Sequence, residues 1–462
     1  MKRDRKRELQ TLALTMPKRP SCSEPTTKKR RSVAEDGQEN ANSITVSDNP
    51  DATRANSCPP HPGYLYGLCI RCGSLKSYTE EEPHVALRYI HAGLEVSSEE
   101  AQRIRSTELQ QMLLRKKLSL VLDIDHTLVN SVSPFDISSD EIEHLSAVYM
   151  SNEDTIPEFH KESGIHMLED LQLWTKLRPF VHDFLKEASK LFELHLYTMG
   201  TTSYAQTVAR ILDPSGHLFG NRVISQGEST SRTTKDLDVL LSTESAVLIL
   251  DDTEAVWPRH KDNLILIERY HFFGSSHRQY MMQGASLLEA GKDESEDDGT
   301  LANTLKLLRQ VHTAFFDGYY QDGEEDQTYN GEKDVRQILQ AIRSRVLVGC
   351  RVVFSRIFST DLASPETHPL WQLVECLGAT CSIAVDDGVT HVVALDKGTL
   401  KGIWAQEQNR HLVHPRWVDA AFHTWKRPCE KNYPVSDTLG PTTFAKTVNK
   451  LERTNEKATR SP

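Results

Sequence analysis

Leu118-Ser-Leu-Val-Leu-Asp123-Ile-Asp125-His-Thr127-Leu128 is the stretch that decides the architecture. An apolar run broken only by Ser119 ends in two carboxylates at i and i+2, and a threonine follows. A run of this length reads as a buried strand of a parallel sheet. Ligands of open α/β sheets bind at the carboxyl ends of the strands. Asp123 and Asp125 are therefore expected where chemistry is done, although an isolated Asp-x-Asp also serves as a helix cap.

Three further elements follow in order. Glu193-Leu-His-Leu-Tyr-Thr198 reads as a second strand ending in a hydroxyl. Lys235 stands in Thr234-Lys-Asp-Leu, and Ala246-Val-Leu-Ile-Leu-Asp251-Asp252 is a third apolar strand, ending in paired carboxylates. This ordered set resembles the phosphotransferases of the haloacid-dehalogenase superfamily. The resemblance implies an α/β class with a haloacid-dehalogenase-like Rossmannoid parallel sheet. The residue types suit the roles it implies. Asp123, a carboxylate, is a competent nucleophile toward phosphorus and would form an aspartyl-phosphate. Asp125 is the general acid/base, first protonating the leaving alkoxide and then deprotonating the attacking water. Mg²⁺ takes oxygen ligands and few carboxylates, so Asp123, the carbonyl of Asp125, Asp251 and Asp252 are its expected protein partners. Thr198 and Lys235 are expected to hold the phosphoryl oxygens, one by a hydrogen bond and one by charge.

The surrounding segments narrow the likeness. Asp123-Ile-Asp-His-Thr-Leu, Lys176-Leu-Arg-Pro179, Leu196-Tyr-Thr-Met-Gly-Thr201, Lys235-Asp-Leu, Leu250-Asp-Asp252 and Trp257-Pro-Arg-His-Lys-Asp-Asn-Leu-Ile265 resemble the RNA polymerase II C-terminal-domain phosphatases, over roughly residues 108–285. Arg178 is a candidate contact for the substrate phosphate, with a surface salt bridge as its alternative. Trp174 to Phe180 reads as the opening of a helix, with Pro179 in its first turn, Trp174 stapling it and Val181, Phe184, Leu185 and Ala188 at helical spacing. Only about fifty residues separate Asp125 from Arg178. That is enough for a small flap insertion but short for a lid, and an open cleft suits an extended phosphopeptide.

A second unit follows. Val346 to Phe354 reads as a strand, Pro369 to Gly378 as a helix stopped by glycine, Val389-Thr-His391-Val-Val-Ala as a strand, and His411 to Phe422 as a strand running into a Pro-started helix. With Trp417 expected in the core, this order resembles an α/β BRCT domain, and the resemblance implies docking of partner proteins such as transcription factors. Ser355 and Lys401 are placed to hold a phosphate. Arg356 stands where phosphate-binding members carry a small residue, so general docking is the expectation.

The organisation expected from the 462 residues is a disordered basic region (1–57), a Cys/His knuckle (58–75), the phosphatase domain (108–285), an acidic helical linker with a helix from Leu301 to Tyr319 (286–342), the BRCT domain (343–436) and a disordered tail (437–462). Mean hydropathy of −0.49 is low for a fully packed chain. Residues 1–32 carry eleven Lys/Arg and three acids, a net charge of +8, so the other 430 sum to −19 within the total of −11. An acidic body argues against direct nucleic-acid binding. Lys2-Arg-Asp-Arg-Lys-Arg7 and Lys28-Lys-Arg-Arg31 resemble nuclear-import signals, with a solvated basic arm as the alternative. No apolar run reaches membrane-span length, and eight cysteines without framework spacing are expected as reduced thiols.

Cys58-Pro-Pro-His61 and Cys69-Ile-Arg-Cys72 make a C-x2-H-x7-C-x2-C pattern. Cys₃His sets hold tetrahedral Zn²⁺, and x2 spacing lets two side chains chelate from one turn. The alternative is a loop with free thiols.

The expected protein is thus a Mg²⁺-dependent nuclear serine phosphatase acting on the phosphorylated C-terminal heptad repeats of the largest RNA polymerase II subunit. Its alternatives are a phosphatase for another nuclear phosphoprotein or a small ester, and a non-enzymatic BRCT scaffold. The paired carboxylates speak against the scaffold, since their repulsion in one cleft requires a cation.

Overall fold

The computed structural model describes residues 58, 60–77, 84–142, 145, 164–280, 284–317, 320–321, 324–325, 333–358 and 364–435. The readings of residues 1–57 as a basic import region and of 437–462 as a tail lie outside these. Among the described residues no helix is long and apolar enough to cross a membrane.

Strands β1 (Gly63–Leu65), β2 (Leu68–Cys69), β3 (His84–Ala86) and β4 (Leu94–Ser97) form a small antiparallel sheet in the order β2-β1-β4-β3. Its last strand runs into the helix Ser98–Leu114, capped by the Ser97 hydroxyl, which accepts the N–H of Glu100. The knuckle is therefore the outer half of a larger module. Leu87, Val96 and Ala101 give that module its own core, and Arg105 ties it down through the carbonyls of Leu240 (3.2 Å) and Asp238 (2.9 Å).

The central unit is built on β5 (Leu118–Leu122), β9 (Phe192–Tyr197), β10 (Val223–Ile224), β11 (Val247–Asp251) and β12 (Leu264–Leu266), parallel in the order β10-β9-β5-β11-β12. Alternation along each strand divides the apolar residues between two faces. Leu120, Leu122, Leu194, Leu196, Leu248 and Leu250 pack against helices on one side. Val121, Tyr197, Val247 and Ile249 meet Leu237 and Trp257 on the other. The chain leaves central β5 for β9 on one flank and later returns to β11 on the opposite flank. This is the topological switch at which such sheets bind ligands.

A flap of three antiparallel strands, β6 (Val129–Val132), β7 (Ile165–Leu168) and β8 (Leu173–Leu177), in the order β6-β8-β7, fills the interval after β5. Here the structure corrects the sequence reading: Trp174 and Lys176 are strand residues, and the helix begins only at Val181. Pro179 turns the chain between them, and Phe180 precedes the helix at φ +67°. The apolar face of that helix is as expected, with Val181, Phe184, Leu185 and Ala188 buried.

The two helices of the segment read as a linker pack into the core of this unit. Helices Thr300–Asp317 and Val335–Arg343 bury Leu301, Leu305, Leu308, Val311, Ile338 and Leu339 in the same apolar cluster as Phe184. Between these helices lies a short hairpin of β13 (Tyr320–Gln321) and β14 (Glu324–Glu325).

The C-terminal unit is a parallel sheet of β15 (Arg351–Ser355), β16 (Thr380–Ser382), β17 (His391–Ala394) and β18 (His411–Val413), ordered β16-β15-β17-β18. Its helices are Pro369–Cys376, Leu400–Glu407 and Arg416–Thr424. Trp417 is buried and donates its indole N–H to the carbonyl of Pro428 (2.9 Å). The unit packs against the central unit. The Arg343 guanidinium lies 4.4 Å from the Trp425 ring and 5.3 Å from that of Phe422, and Lys426 bonds Asn303 (3.1 Å).

Candidate active site

Register brings the carboxylates together. Leu250 lies opposite Leu122, so Asp251 and Asp123 emerge side by side at the carboxyl ends of adjacent strands. Thr198 follows β9, the neighbour on the other flank. Lys235 arrives from the loop after β10, anchored by its N–H on the Val256 carbonyl (2.7 Å). Its buried ammonium contacts Asp123 Oδ1 and lies 2.6 Å from Asp251 Oδ2. Burial alone would lower the lysine's pKa; the charges of Asp123 and Asp251 outweigh it and raise it. Burial, followed by the charge of Asp251, pushes the Asp123 carboxyl well above the usual carboxylate range, while Lys235 pulls it back down.

Asp125 is held at both oxygens. Thr198 Oγ1 donates to Oδ2 (3.2 Å), and the Tyr204 hydroxyl donates to Oδ1 (2.5 Å). Asp252 pairs with Arg269 and accepts from Thr253 Oγ1 (3.0 Å). Asp123, Asp251 and Asp252 each offer an oxygen within 4.8 Å of the others. Among the described residues these carboxylates and Asp125 are faced by the fixed charges of Lys235 and Arg269, with His126 also near Asp252, so negative charge is in formal excess. The site therefore fits a divalent, oxygen-seeking cation such as Mg²⁺.

Beside Asp125 opens a groove of about 800 Å³, walled by Ser131, Leu171 and Leu173 of the flap, Tyr204 of the helix Thr202–Leu212 and its N-cap Thr201, and Arg278.

Arg178 is placed differently from the expectation. It is 1% exposed and makes two bonds to Glu294 (2.9 and 2.6 Å), with further bonds to the carbonyls of Thr127 (3.1 Å) and Glu268 (2.9 Å). Its donors tie the loop after β5 to the acidic segment 293–298, so contact with a substrate phosphate would have to displace Glu294. Sequence reasoning missed Tyr204, Arg269 and the role of Trp257, whose indole N–H donates to Asp251 Oδ2 (2.8 Å). Tyr204 lies on an amphipathic helix, where an aromatic at core spacing carries no catalytic signal.

The Cys/His pattern converges. Cys58 Sγ lies 3.9 Å from Cys69 Sγ, Cys72 Sγ lies 3.6 Å from His61 Nδ1, and the four donor atoms fall within 4.8 Å of one another. The N–H groups of Arg71 and Cys72 point at Cys69 Sγ (3.4 and 3.5 Å). Chiefly through its bond to Ser74, Cys72 has its thiol lowered to about 6. In the C-terminal unit, Ser355 Oγ is buried against Thr399 Oγ1 (2.8 Å), and Lys401 Nζ is engaged by the carbonyls of Phe354 (3.0 Å) and Ile383 (2.7 Å). Arg356 stands beside them at φ +56° with its side chain mostly exposed.

Comparison with known proteins agrees with this geometry. Residues 118–300 match the family described as NLI interacting factor-like phosphatase, and residues 343–422 match the BRCA1 C Terminus (BRCT) domain. The chain is 47% identical over 375 residues to RNA polymerase II C-terminal domain phosphatase-like 4 of Arabidopsis thaliana, covering 81% of each. It is 43% identical over 344 residues to phosphatase-like 3 of the same plant, covering 72% of this chain but 27% of that longer protein. The solved structure of Fcp1, an essential RNA polymerase II CTD phosphatase, matches with a TM-score of 0.53 at 23% identity, over 72% of this chain and all of that one, which shows a shared fold. The chain belongs to the family of RNA polymerase II C-terminal-domain phosphatases, in which a phosphatase domain is followed by a BRCT domain.

Proposed function

We propose that this chain is a Mg²⁺-dependent protein-serine phosphatase of the nucleus, acting on the phosphorylated heptad repeats of RNA polymerase II. The observation that carries the proposal is Lys235 bridging Asp123 and Asp251 at the switch point, with Asp125 and Thr198 beside them. Asp123 attacks phosphorus and becomes the aspartyl-phosphate, while Asp125 gives its proton to the departing serine oxygen. Asp125 then takes a proton from the water that attacks the phosphoaspartate, releasing inorganic phosphate and restoring the Asp123 carboxylate and the protonated Asp125. Lys235 and Thr198 hold the phosphoryl oxygens. Asp123, Asp251, Asp252 and the carbonyl of Asp125 would hold Mg²⁺, which supplies charge neutralisation.

The likeness to named tail phosphatases and the open groove support the heptad substrate. The test is phosphate release from heptad peptides carrying single phosphoserines, with and without Mg²⁺, by the wild type and by Asp123→Asn. Mg²⁺-dependent release lost in the variant supports the reading. Hydrolysis of p-nitrophenyl phosphate alone would move the substrate to another phosphoprotein or a small ester, and no hydrolysis of either would favour a scaffold.

Cys58, His61, Cys69 and Cys72 hold a structural Zn²⁺ in this reading. Zn–S bonds of about 2.3 Å in a tetrahedron put sulfurs roughly 3.8 Å apart, close to the separation of Cys58 and Cys69. Native mass spectrometry of the full chain should show one zinc, lost in Cys69→Ser. The C-terminal unit serves as a docking module for transcription factors. Lys401, already satisfied by two carbonyls, supports general protein docking rather than phosphate reading.

A further inference from the structure

Tyr204 is 7% exposed, and its hydroxyl stands 2.5 Å from Asp125 Oδ1 and 2.9 Å from Ser131 Oγ, which itself bonds Thr175 Oγ1 (2.9 Å). The phenol is thus fixed from the flap side and aimed at one oxygen of the general acid. The other oxygen, Oδ2, faces Thr198, which marks the phosphoryl side. The helix carrying Tyr204 is itself well fastened: the Thr201 hydroxyl accepts the N–H of Tyr204 (3.4 Å), and Gly200 N–H donates to Thr198 Oγ1 (2.9 Å). Loop, helix and flap therefore converge on the orientation of a single carboxyl group.

We infer that Tyr204 is a positioning residue for proton delivery: it holds Oδ1 so that the transferable proton resides on Oδ2, and it makes this phosphatase competent on alkyl (serine) esters. The inference rests on the proposed roles of Asp123 and Asp125. In the first half-reaction an Asp123 oxygen bonds to phosphorus, the P–O bond to serine breaks, and the Oδ2 proton passes to the serine oxygen. Asp125 is left as a carboxylate, and a hydrogen bond from the phenol to Oδ1 strengthens as that charge develops. Help of this kind matters most when the leaving oxygen is strongly basic, as in serine, and least when the leaving group is a stable phenolate.

The test is Tyr204→Phe in the full chain, which keeps the ring and removes only the hydroxyl. We expect kcat on phenyl phosphate and on a phosphoserine peptide to fall about 10- to 100-fold, the value of one charge-assisted hydrogen bond. On p-nitrophenyl phosphate it should change by less than about threefold. The dependence of rate on leaving-group basicity across a set of aryl phosphates should steepen. In an Asp125→Asn background the second substitution should add almost nothing, because the two residues act as one unit. Equal losses on good and poor leaving groups, or additivity in the double variant, would reduce Tyr204 to a packing residue. No loss on any ester would overturn the inference outright. The aryl series needs no polymerase peptide, so a wrong substrate class is recognised separately, by wild-type activity on aryl esters without release from heptad peptides.

Discussion

Trp257 and Lys235 meet on one oxygen: Asp251 Oδ2 receives the indole N–H at 2.8 Å and the ammonium at 2.6 Å. Asp251 Oδ1 is occupied by the N–H of Thr253 (2.8 Å). The carboxylate that completes the proposed metal set is therefore held in one orientation, with Trp257 wholly buried beside it. Such outer support commonly governs metal affinity as strongly as the ligands do.

Replacing Trp257 with Phe keeps much of the apolar packing but leaves a buried carboxylate short of a donor. The expected cost is about 1–3 kcal/mol of stability. The Mg²⁺ concentration for half-maximal activity should rise by about tenfold or more. Urea unfolding and a Mg²⁺ titration of phosphatase activity check the two effects.

Glu294→Gln should act at a distance from the chemistry. It removes the charge that balances the buried Arg178 guanidinium, which also holds the Thr127 and Glu268 carbonyls. A buried pair broken from one side costs about 3–5 kcal/mol; with Glu294 about a fifth exposed, roughly 2 kcal/mol is the expectation. Thermal unfolding measures the loss, and activity should fall with it because the tethered loop carries Asp125.

Asp419, on the helix Arg416–Thr424, is raised to about 6 by burial and by the charge of Glu268, against the pull of Arg416. A carboxyl with a raised folded-state pKa adds stability that is complete below its unfolded value near 4 and is lost as pH rises through 6. Asp419→Asn should therefore leave stability at pH 4 nearly unchanged and raise it at pH 7 by on the order of 2 kcal/mol. Calorimetric melting at the two pH values checks the sign.

Gly378, which closes the helix Pro369–Cys376, has φ +89°, and a Cβ there would fall 1.7 Å from the Ser344 carbonyl oxygen. Because backbone rather than a flexible side chain stands in the way, Gly378→Ala should destabilise the C-terminal unit by well over ~1 kcal/mol. Limited proteolysis should then cut within residues 343–436 first, while p-nitrophenyl phosphate hydrolysis persists.

The sheet and its catalytic edge were legible because burial on both faces forces continuous apolar runs, and the polar residues that end such runs stand out against them. Asp123, Thr198 and Asp251 follow from that local rule, and each stands at a strand end. The Cys/His cluster was legible for a similar reason: chelation from one turn imposes short spacings. The boundary near residue 285 was not. The acidic residues around Asp293 masked an anchor that pairs with Lys176 (2.8 Å) and Arg178, and the helices beyond it bury their apolar faces in the catalytic core. The start of the flap strand at Leu173 was also lost, because Pro179 fits a helix's first turn as well as it fits the turn before one.

The sequence alone determined the order of strands, the carboxylates at their ends and the succession of phosphatase and BRCT units. All of these are properties of local pattern. Only the tertiary structure decided which partner each polar group takes. It gave Arg178 to Glu294, Trp257 to Asp251 and Tyr204 to Asp125, contacts spanning 116, 6 and 79 positions. A buried donor must find an acceptor within about 3 Å, and which acceptor lies there depends on how distant segments pack.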